Sequence, residues 1–329
     1  MVTSMIRHLR ALRSRLLLRT DARRAPVLGP VREQPARWRH GRVHSGSSAG
    51  PTWRYGLYTP PGLHDDEKTP LIMLLHGCTQ RGVRFAHASG WTDLADVVRV
   101  RLLCPEQREL ANQHRCWNWF HSAAQNGEGE LTVVTGMIDD VTKLVRLDTK
   151  AIAAVGVSAG GALSALLAFH CAKRFRAVIT VAAPTLLGRR TVANPHETDA
   201  EHGLDPKRRG CAPLAIIHGT ADAIVHPRCA DRLQAQALES LRRAGKHTKP
   251  KAGAAEFNGA TVTDFRRRGK LLLRRIDLHG AGHAWTGGPG GHRYCERAGA
   301  PLTALCHGFL RDVGMLARPR SLPGHDWIR

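Results

Sequence analysis

Long apolar runs are missing from this chain, and so are cysteines at metal-ligating spacing. No stretch of the 329 residues approaches the roughly 20 consecutive apolar residues that a bilayer crossing needs, which argues against a helical membrane span. The eight cysteines (Cys78, Cys104, Cys116, Cys171, Cys211, Cys229, Cys295 and Cys306) are too sparse to staple a mini-domain, and none forms a CxxC pair. No His, Asp or Glu set stands at ligand spacing on one element, so no metal and no cofactor is expected. Near the N-terminus the only apolar cluster is Leu16-Leu17-Leu18, bracketed by Arg15 and Arg19. That is too short for the apolar core of a signal peptide, so a cytoplasmic location is expected. Acidic residues are scarce too: 27 against 49 Lys plus Arg, a net charge of +22. Such an excess favours anionic surfaces. The basic residues are spread along the chain without a recognition motif, so no specific nucleic-acid partner is expected.

What is present is enough apolar residue, 42% of the chain, to bury a sizeable core. Ile6, Leu9, Leu12 and Leu16 fall at helical spacing among arginines, as in a basic surface-seeking helix or, the reading favoured here, a frayed terminal one. Residues 20–52 are rich in Arg, Pro, Gly and Ser without periodicity and read as a linker. The expected organisation is therefore a basic helix and poorly ordered linker over 1–52, a folded domain over 53–317 and a short tail over 318–329. Within the domain, LIMLL (71–75), RLLC (101–104), AIAAV (151–155), AVITVA (177–182), PLAIIH (213–218) and LLLRRIDL (271–278) read as strands. Helical patterns fall near 89–98, 130–146, 160–173, 227–243 and 300–317. The alternation implies an α/β fold with a largely parallel sheet, whose ligands sit beyond the carboxyl ends of the strands. Residues 184–212, aperiodic and rich in Pro, Gly, Arg and His, read as a loop or lid beside that edge.

One pentapeptide pattern, Gly-x-Ser-x-Gly, occurs twice: around Ser48 and around Ser158. Only Ser158 is preceded by a strand pattern and followed by a helical one. That context is a nucleophile elbow, in which Gly156 and Gly160 let strand and helix approach while the serine is held exposed. Ser48 lies in the Gly/Ser linker and is assigned to chance. A serine hydroxyl needs a base, and the base needs a carboxylate to fix its tautomer. In the chain order Ser, acid, His, the loop after PLAIIH offers Asp222; Asp199 and Asp205 lie in the irregular segment, and Asp231, Asp264 and Asp277 lie in or near regular elements. His283, in a glycine-rich loop after the last strand, is the expected base. His226 is too near Asp222 in sequence, while His279 and His292 read as local loop histidines. The turn after LIMLL points the Cys78 amide at a developing oxyanion, with the amide of Ala159 as the second donor.

LHGCTQ (75–80), CPEQ (104–107), RCWNWF (115–120), GVSAGG (156–161), HGTADAIVHP (218–227) and GAGHAWTGG (280–288) occur in this order. Together they resemble the catalytic domain of the polyhydroxybutyrate depolymerase family of esterases, over roughly residues 53–310. The resemblance implies an α/β-hydrolase fold and cofactor-free hydrolysis of esters by Ser158, Asp222 and His283, with oxyanion support from Cys78. It also implies a short-chain polyhydroxyalkanoate, or its oligomers, as substrate. Related esterases act on feruloyl, acetyl and other small esters. Trp117, Trp119 and Trp285 are read either as walls of a substrate groove or as core aromatics. Cys78 and Cys116, in two motifs that should both border the site, are expected to lie close enough for a disulfide. No signal peptide and no C-terminal binding module are seen, which favours intracellular granules, oligomers or small esters over extracellular crystalline polyester. An anionic granule surface is then a candidate partner. The rivals are a non-catalytic surface-binding protein on a hydrolase scaffold, and a thioesterase or peptidase.

Overall fold

A computed structural model describes residues 36–44, 50–185, 210–246, 249–250, 255–257 and 259–316. All of these fall within one compact unit, Gln34–Arg329. The N-terminal helix expected at residues 6–16, Ser48, most of the 184–212 segment and the 318–329 tail lie outside the described residues.

The strands are β1 (Arg37–His44), β2 (Thr52–Thr59), β3 (Thr69–Leu75), β4 (Arg101–Glu106), β5 (Leu147–Val157), β6 (Ala177–Val181), β7 (Leu214–Gly219), β8 (Lys249–Pro250), β9 (Ala255–Phe257), β10 (Ala260–Arg267) and β11 (Lys270–Leu278). They form one sheet ordered β1-β2-β4-β3-β5-β6-β7-β11-β10-β8, with β9 also on β10. The six strands from β4 to β11 in that order run parallel. The additions at both edges are antiparallel. Helices α1 (Gly82–Ala88), α2 (Trp91–Val98), α3 (Ser122–Gln125), α4 (Glu130–Leu144), α5 (Ala159–His170), α6 (Arg228–Arg243) and α7 (Leu302–Asp312) cover the two faces.

Successive side chains of a strand point to opposite faces. Leu71, Met73 and Leu75 therefore join the layer packed by α4, α5 and α6. Ile72 and Leu74, with Val155 and Val157 of β5, join the layer under α1, α2 and α7. A strand buried on both sides has no polar face, which is why these runs are continuously apolar. Each fully buried Leu, Ile or Val adds about 1.5–3 kcal/mol relative to exposure, and the parallel strands share them about evenly with the rest of the described residues.

The linker expectation for residues 20–52 fails at Arg37–His44. This stretch pairs with β2 along its whole length, from Arg37 opposite Thr59 to His44 opposite Thr52. Its polar look follows from its place as the outermost strand. Trp38 packs on Tyr58 with ring centres 5.0 Å apart, and the Arg39 guanidinium bonds Asp65 at 2.9 and 3.1 Å. An edge strand anchored by one aromatic ring and ion pairs shows no apolar alternation.

Candidate active site

The centre of the sheet positions the first side chain. β5 runs through Gly156 and Val157 into Ser158, whose backbone takes φ 55° and ψ −123°, and α5 begins at the next residue. A non-glycine residue there carries strain on the order of 1–3 kcal/mol, held by the packing around it. Two glycines make that packing feasible. A Cβ on Gly156 would lie 2.0 Å from the Gly160 carbonyl oxygen and 2.4 Å from Ser164 Oγ. A Cβ on Gly160 would lie 2.2 Å from the Leu75 carbonyl oxygen. Gly160→Ala is therefore expected to force β3 and α5 apart and lower stability by about 1–3 kcal/mol in thermal unfolding. At Gly136, inside α4, an added Cβ would meet nothing within 4 Å. Gly136→Ala should have the opposite sign, a gain of about 0.5–1 kcal/mol, in the same measurement.

The other two side chains come from loops at the same end of the sheet. Asp222 follows β7 and His283 follows β11, so the structure brings together three residues from distant segments. Ser158 Oγ donates to His283 Nε2 at 3.0 Å. His283 Nδ1 donates to Asp222 Oδ2 at 2.7 Å, since a carboxylate only accepts. The same carboxylate accepts the backbone N–H groups of Ile224 (2.9 Å) and Val225 (2.8 Å) on Oδ1. His218 also faces Oδ2: its Nε2 lies 3.4 Å from that oxygen and donates to the Val225 carbonyl at 2.8 Å. Burial of Asp222 alone would raise its pKa, but the hydrogen bonds from His218, His283 and Val225 outweigh it and hold the carboxyl well below the usual range. Asp222 is thus held as an anion at neutral pH, aimed at the ring that faces Ser158.

These groups open into a cleft of about 260 Å³. Its walls include Trp119, Phe120, Pro184, Ile224, Val225 and Tyr294, with Ser158 and His283 on the floor. Cys78 and Ala159 both line it, as does Ser158. The Ala159 N–H heads a helix and has no intrahelical acceptor there. Cys78 sits in a turn whose other amides are engaged: Gly77 N–H with Gln80 Oε1, Thr79 N–H with the His114 carbonyl and Gln80 N–H with the Gly77 carbonyl. A disulfide joins Cys78 to Cys116. The segment beyond Cys116 is tied down by Glu130, which accepts from Asn118 N–H at 2.7 Å and from Gln107 Nε2 at 2.6 Å.

The three tryptophans separate. Trp119 lines the cleft, whereas Trp117 and Trp285 are fully buried and do not. Trp117 stacks on Trp53 at 6.3 Å and donates its indole N–H to the His76 carbonyl. Trp285 packs edge-on against Phe85 and donates to Thr303. As groove walls, Trp117 and Trp285 are corrected to core residues, because each indole finds an apolar layer and a buried acceptor behind the site. Tyr294 and Phe120 take the place they left; Phe120 closes the RCWNWF motif, whereas no sequence pattern marks Tyr294. His292, expected to bond locally, instead accepts the Arg81 N–H at 3.3 Å. His279 pairs with Thr261 at 2.8 Å.

A parallel sheet with a serine on the turn after its central strand, and an acid and a histidine on later loops in that chain order, defines the α/β-hydrolase fold. The chain belongs to the esterase PHB depolymerase family, whose model matches residues 53–254, a span that holds Ser158 and Asp222 but ends before His283. It is 27% identical over 186 residues to poly(3-hydroxyalkanoate) depolymerase C of Paucimonas lemoignei, covering 52% of this chain and 44% of that protein. It is 21% identical over 274 residues to a poly(3-hydroxybutyrate) depolymerase of Ralstonia pickettii, covering 77% and 55%. The chain thus spans about half the length of these two relatives. Among solved structures, an acetyl xylan esterase from Aspergillus awamori superposes with TM-score 0.53 at 15% identity, over 74% of this chain and 94% of that one. No described helix is long and apolar enough to cross a membrane.

Proposed function

We propose that this protein is a serine esterase acting on short hydroxyalkanoate esters, oligomers of poly(3-hydroxybutyrate) in particular. The observation that carries the reading is the unbroken hydrogen-bond path from Ser158 through His283 to Asp222, opening into an apolar cleft. In this reading Ser158 Oγ attacks the ester carbonyl while His283 Nε2 takes its proton. Asp222 stabilises the imidazolium, and the Cys78 and Ala159 amides receive the oxyanion. His283 then protonates the departing alcohol, and a water activated by the same ring releases the acid. The substrate class follows from the family and from the size of the cleft, which lies at the small end for ligand pockets. Trp119 and Phe120 would wall the acyl group. The net charge of +22 supports docking on an anionic granule surface.

The test is a panel of p-nitrophenyl esters, hydroxybutyrate oligomers, feruloyl and acetyl esters and polymer film, alongside a fluorophosphonate probe. Labelling at Ser158 with fastest turnover on the oligomers is expected. A protein that neither labels nor turns over would be a binding scaffold, and fastest turnover on feruloyl or acetyl esters would move the substrate class.

The compartment is tied to the Cys78–Cys116 bridge, since disulfides persist where thiols are kept oxidised. The cytoplasmic location expected from the N-terminus would instead leave both as thiols. Alkylation of native, unreduced protein is expected to spare these two cysteines, and reduction to lower stability by about 4 kcal/mol for a loop of this length. Full labelling of both before reduction would favour the cytoplasm.

A further inference from the structure

We propose that Gln80 is a positioning residue that holds the Gly77–Cys78 turn in oxyanion-binding register by tying it to the loop that carries His283. The proposal rests on the esterase reading above and adds a residue whose role is not chemical. Gln80 is 1% exposed, yet it lines the cleft and spends its amide on backbone groups from two separate loops. Its Oε1 accepts the Gly77 N–H at 2.8 Å, and its own N–H closes the turn on the Gly77 carbonyl at 3.2 Å. Its Nε2 donates to the Arg293 carbonyl at 2.6 Å, 213 residues further along the chain.

The far end of that bond is connected to the base. The next residue, Tyr294, accepts the Trp285 N–H on its carbonyl at 2.8 Å, and Trp285 stands two residues after His283. The Tyr294 ring packs edge-on against the His283 ring, 5.7 Å between centres. Tyr294 holds φ 57°, a left-handed conformation that a tyrosine adopts only where its surroundings impose it. Gln80 therefore provides a covalent and hydrogen-bonded path between the Cys78 amide and the catalytic base.

The near end touches the nucleophile. A Cβ placed on Gly77 would lie 3.4 Å from Ser158 Cβ and 3.3 Å from Gln80 Oε1, so the turn is packed between the two. Oε1 holds the His76–Gly77 peptide plane through the Gly77 N–H, while the Gln80 N–H, together with His76 Nδ1 at 2.7 Å, holds the Gly77 carbonyl, which shares its peptide plane with the Cys78 N–H. An amide serves here because one oxygen must accept and one nitrogen must donate at the same time. A carboxylate offers no donor for the Arg293 carbonyl, and an apolar isostere offers neither.

The test compares wild type with Gln80→Leu and Gln80→Glu on a matched pair of substrates, an ester and its thionoester. Sulfur accepts hydrogen bonds poorly, so an intact oxyanion site favours the oxygen ester strongly. The expected result is a fall of about 10²–10³ in kcat on the oxygen ester with KM within a few-fold, the loss of one oxyanion donor. The thionoester rate should fall much less, so that the preference for oxygen collapses. Equal losses on both substrates, or a loss confined to KM, would overturn the proposal. Should Gln80→Leu fail to fold, Gln80→Glu, which keeps the acceptor for Gly77, carries the same comparison. Hydrogen exchange at the Gly77 and Cys78 amides reads the turn without turnover: faster exchange in the variants is expected, and unchanged exchange counts against the proposal. If wild type itself proves inactive on every ester, the esterase reading falls while the exchange data still decide whether Gln80 orders the turn.

Discussion

Replacing Ser158 with alanine is expected to abolish hydrolysis of p-nitrophenyl esters, a fall in kcat on the order of 10⁴–10⁶, while the protein stays folded. The size follows from the chemistry: His283 Nε2 stands 3.0 Å from a hydroxyl that no neighbouring residue replaces. Survival of the fold follows from the backbone. Alanine at φ 55° carries the same strain as serine, and the substitution removes a single hydrogen bond at the floor of an open cleft, so stability should change by about 1 kcal/mol or less. Ser158→Gly sharpens the test. It relieves the left-handed conformation and should be more stable than Ser158→Ala by up to about 1 kcal/mol, yet equally inactive. Activity and strain would then be seen to share one residue. Turnover retained in either variant, in protein free of wild-type contamination, overturns the nucleophile assignment.

How far the fold can be read from the sequence depends on whether a strand is buried on both faces. The runs that become β3, β4, β5, β6 and β7 hold continuous apolar stretches because helices cover both sides of them, and that signal is local; β11 shows it only in Leu271–Leu273, before Arg274 and Arg275. β1 and β2 give no such signal. Trp38, Tyr55 and Tyr58 make their packing and hydrogen bonds across long sequence distances, Tyr55 to Asp140 and Tyr58 to Asp96. The neighbours of Trp38 are Arg, His and Gly, so β1 reads as part of a linker, while β2 goes unmarked inside the expected domain. The site divides in the same way. Ser158 announces itself because its glycines, strand and helix are contiguous, and Asp222 and His283 stand on loops after strands that can be placed. Trp117 and Trp285 cannot be separated from Trp119 by sequence, since an indole serves a core and a groove equally well. His218, Gln80 and Tyr294 stay invisible for a different reason. Each acts through a partner on another loop, and nothing in its own segment records that partner.

Asp222→Asn is the second large effect expected, a fall of about 10⁴ in kcat with little change in the fold, and its size comes from a forced tautomer. The backbone N–H groups of Ile224 and Val225 both point at Oδ1, at 2.9 and 2.8 Å. An asparagine must present its oxygen to them, because its NH₂ would meet two donors. The NH₂ is then turned toward His283 Nδ1, from which the aspartate had accepted a hydrogen bond at 2.7 Å. Two donors cannot face each other, so the imidazole moves its proton to Nε2, the atom that must accept from Ser158. The base is disabled without being removed. Stability should respond to pH in a defined direction. Because the folded carboxyl is depressed, its stabilising contribution is complete above the ordinary carboxylate range and is lost progressively as pH falls below that range and through the depressed folded value. The gap in unfolding free energy between wild type and Asp222→Asn should therefore be widest near neutrality and narrow in acid. Urea unfolding at pH 7, and at pH values stepped from 4 down to the lowest at which both proteins still fold, measures it. A gap that is constant, or that widens in acid, would mean that the carboxylate is not the stabilised form, and the tautomer argument would lose its anion.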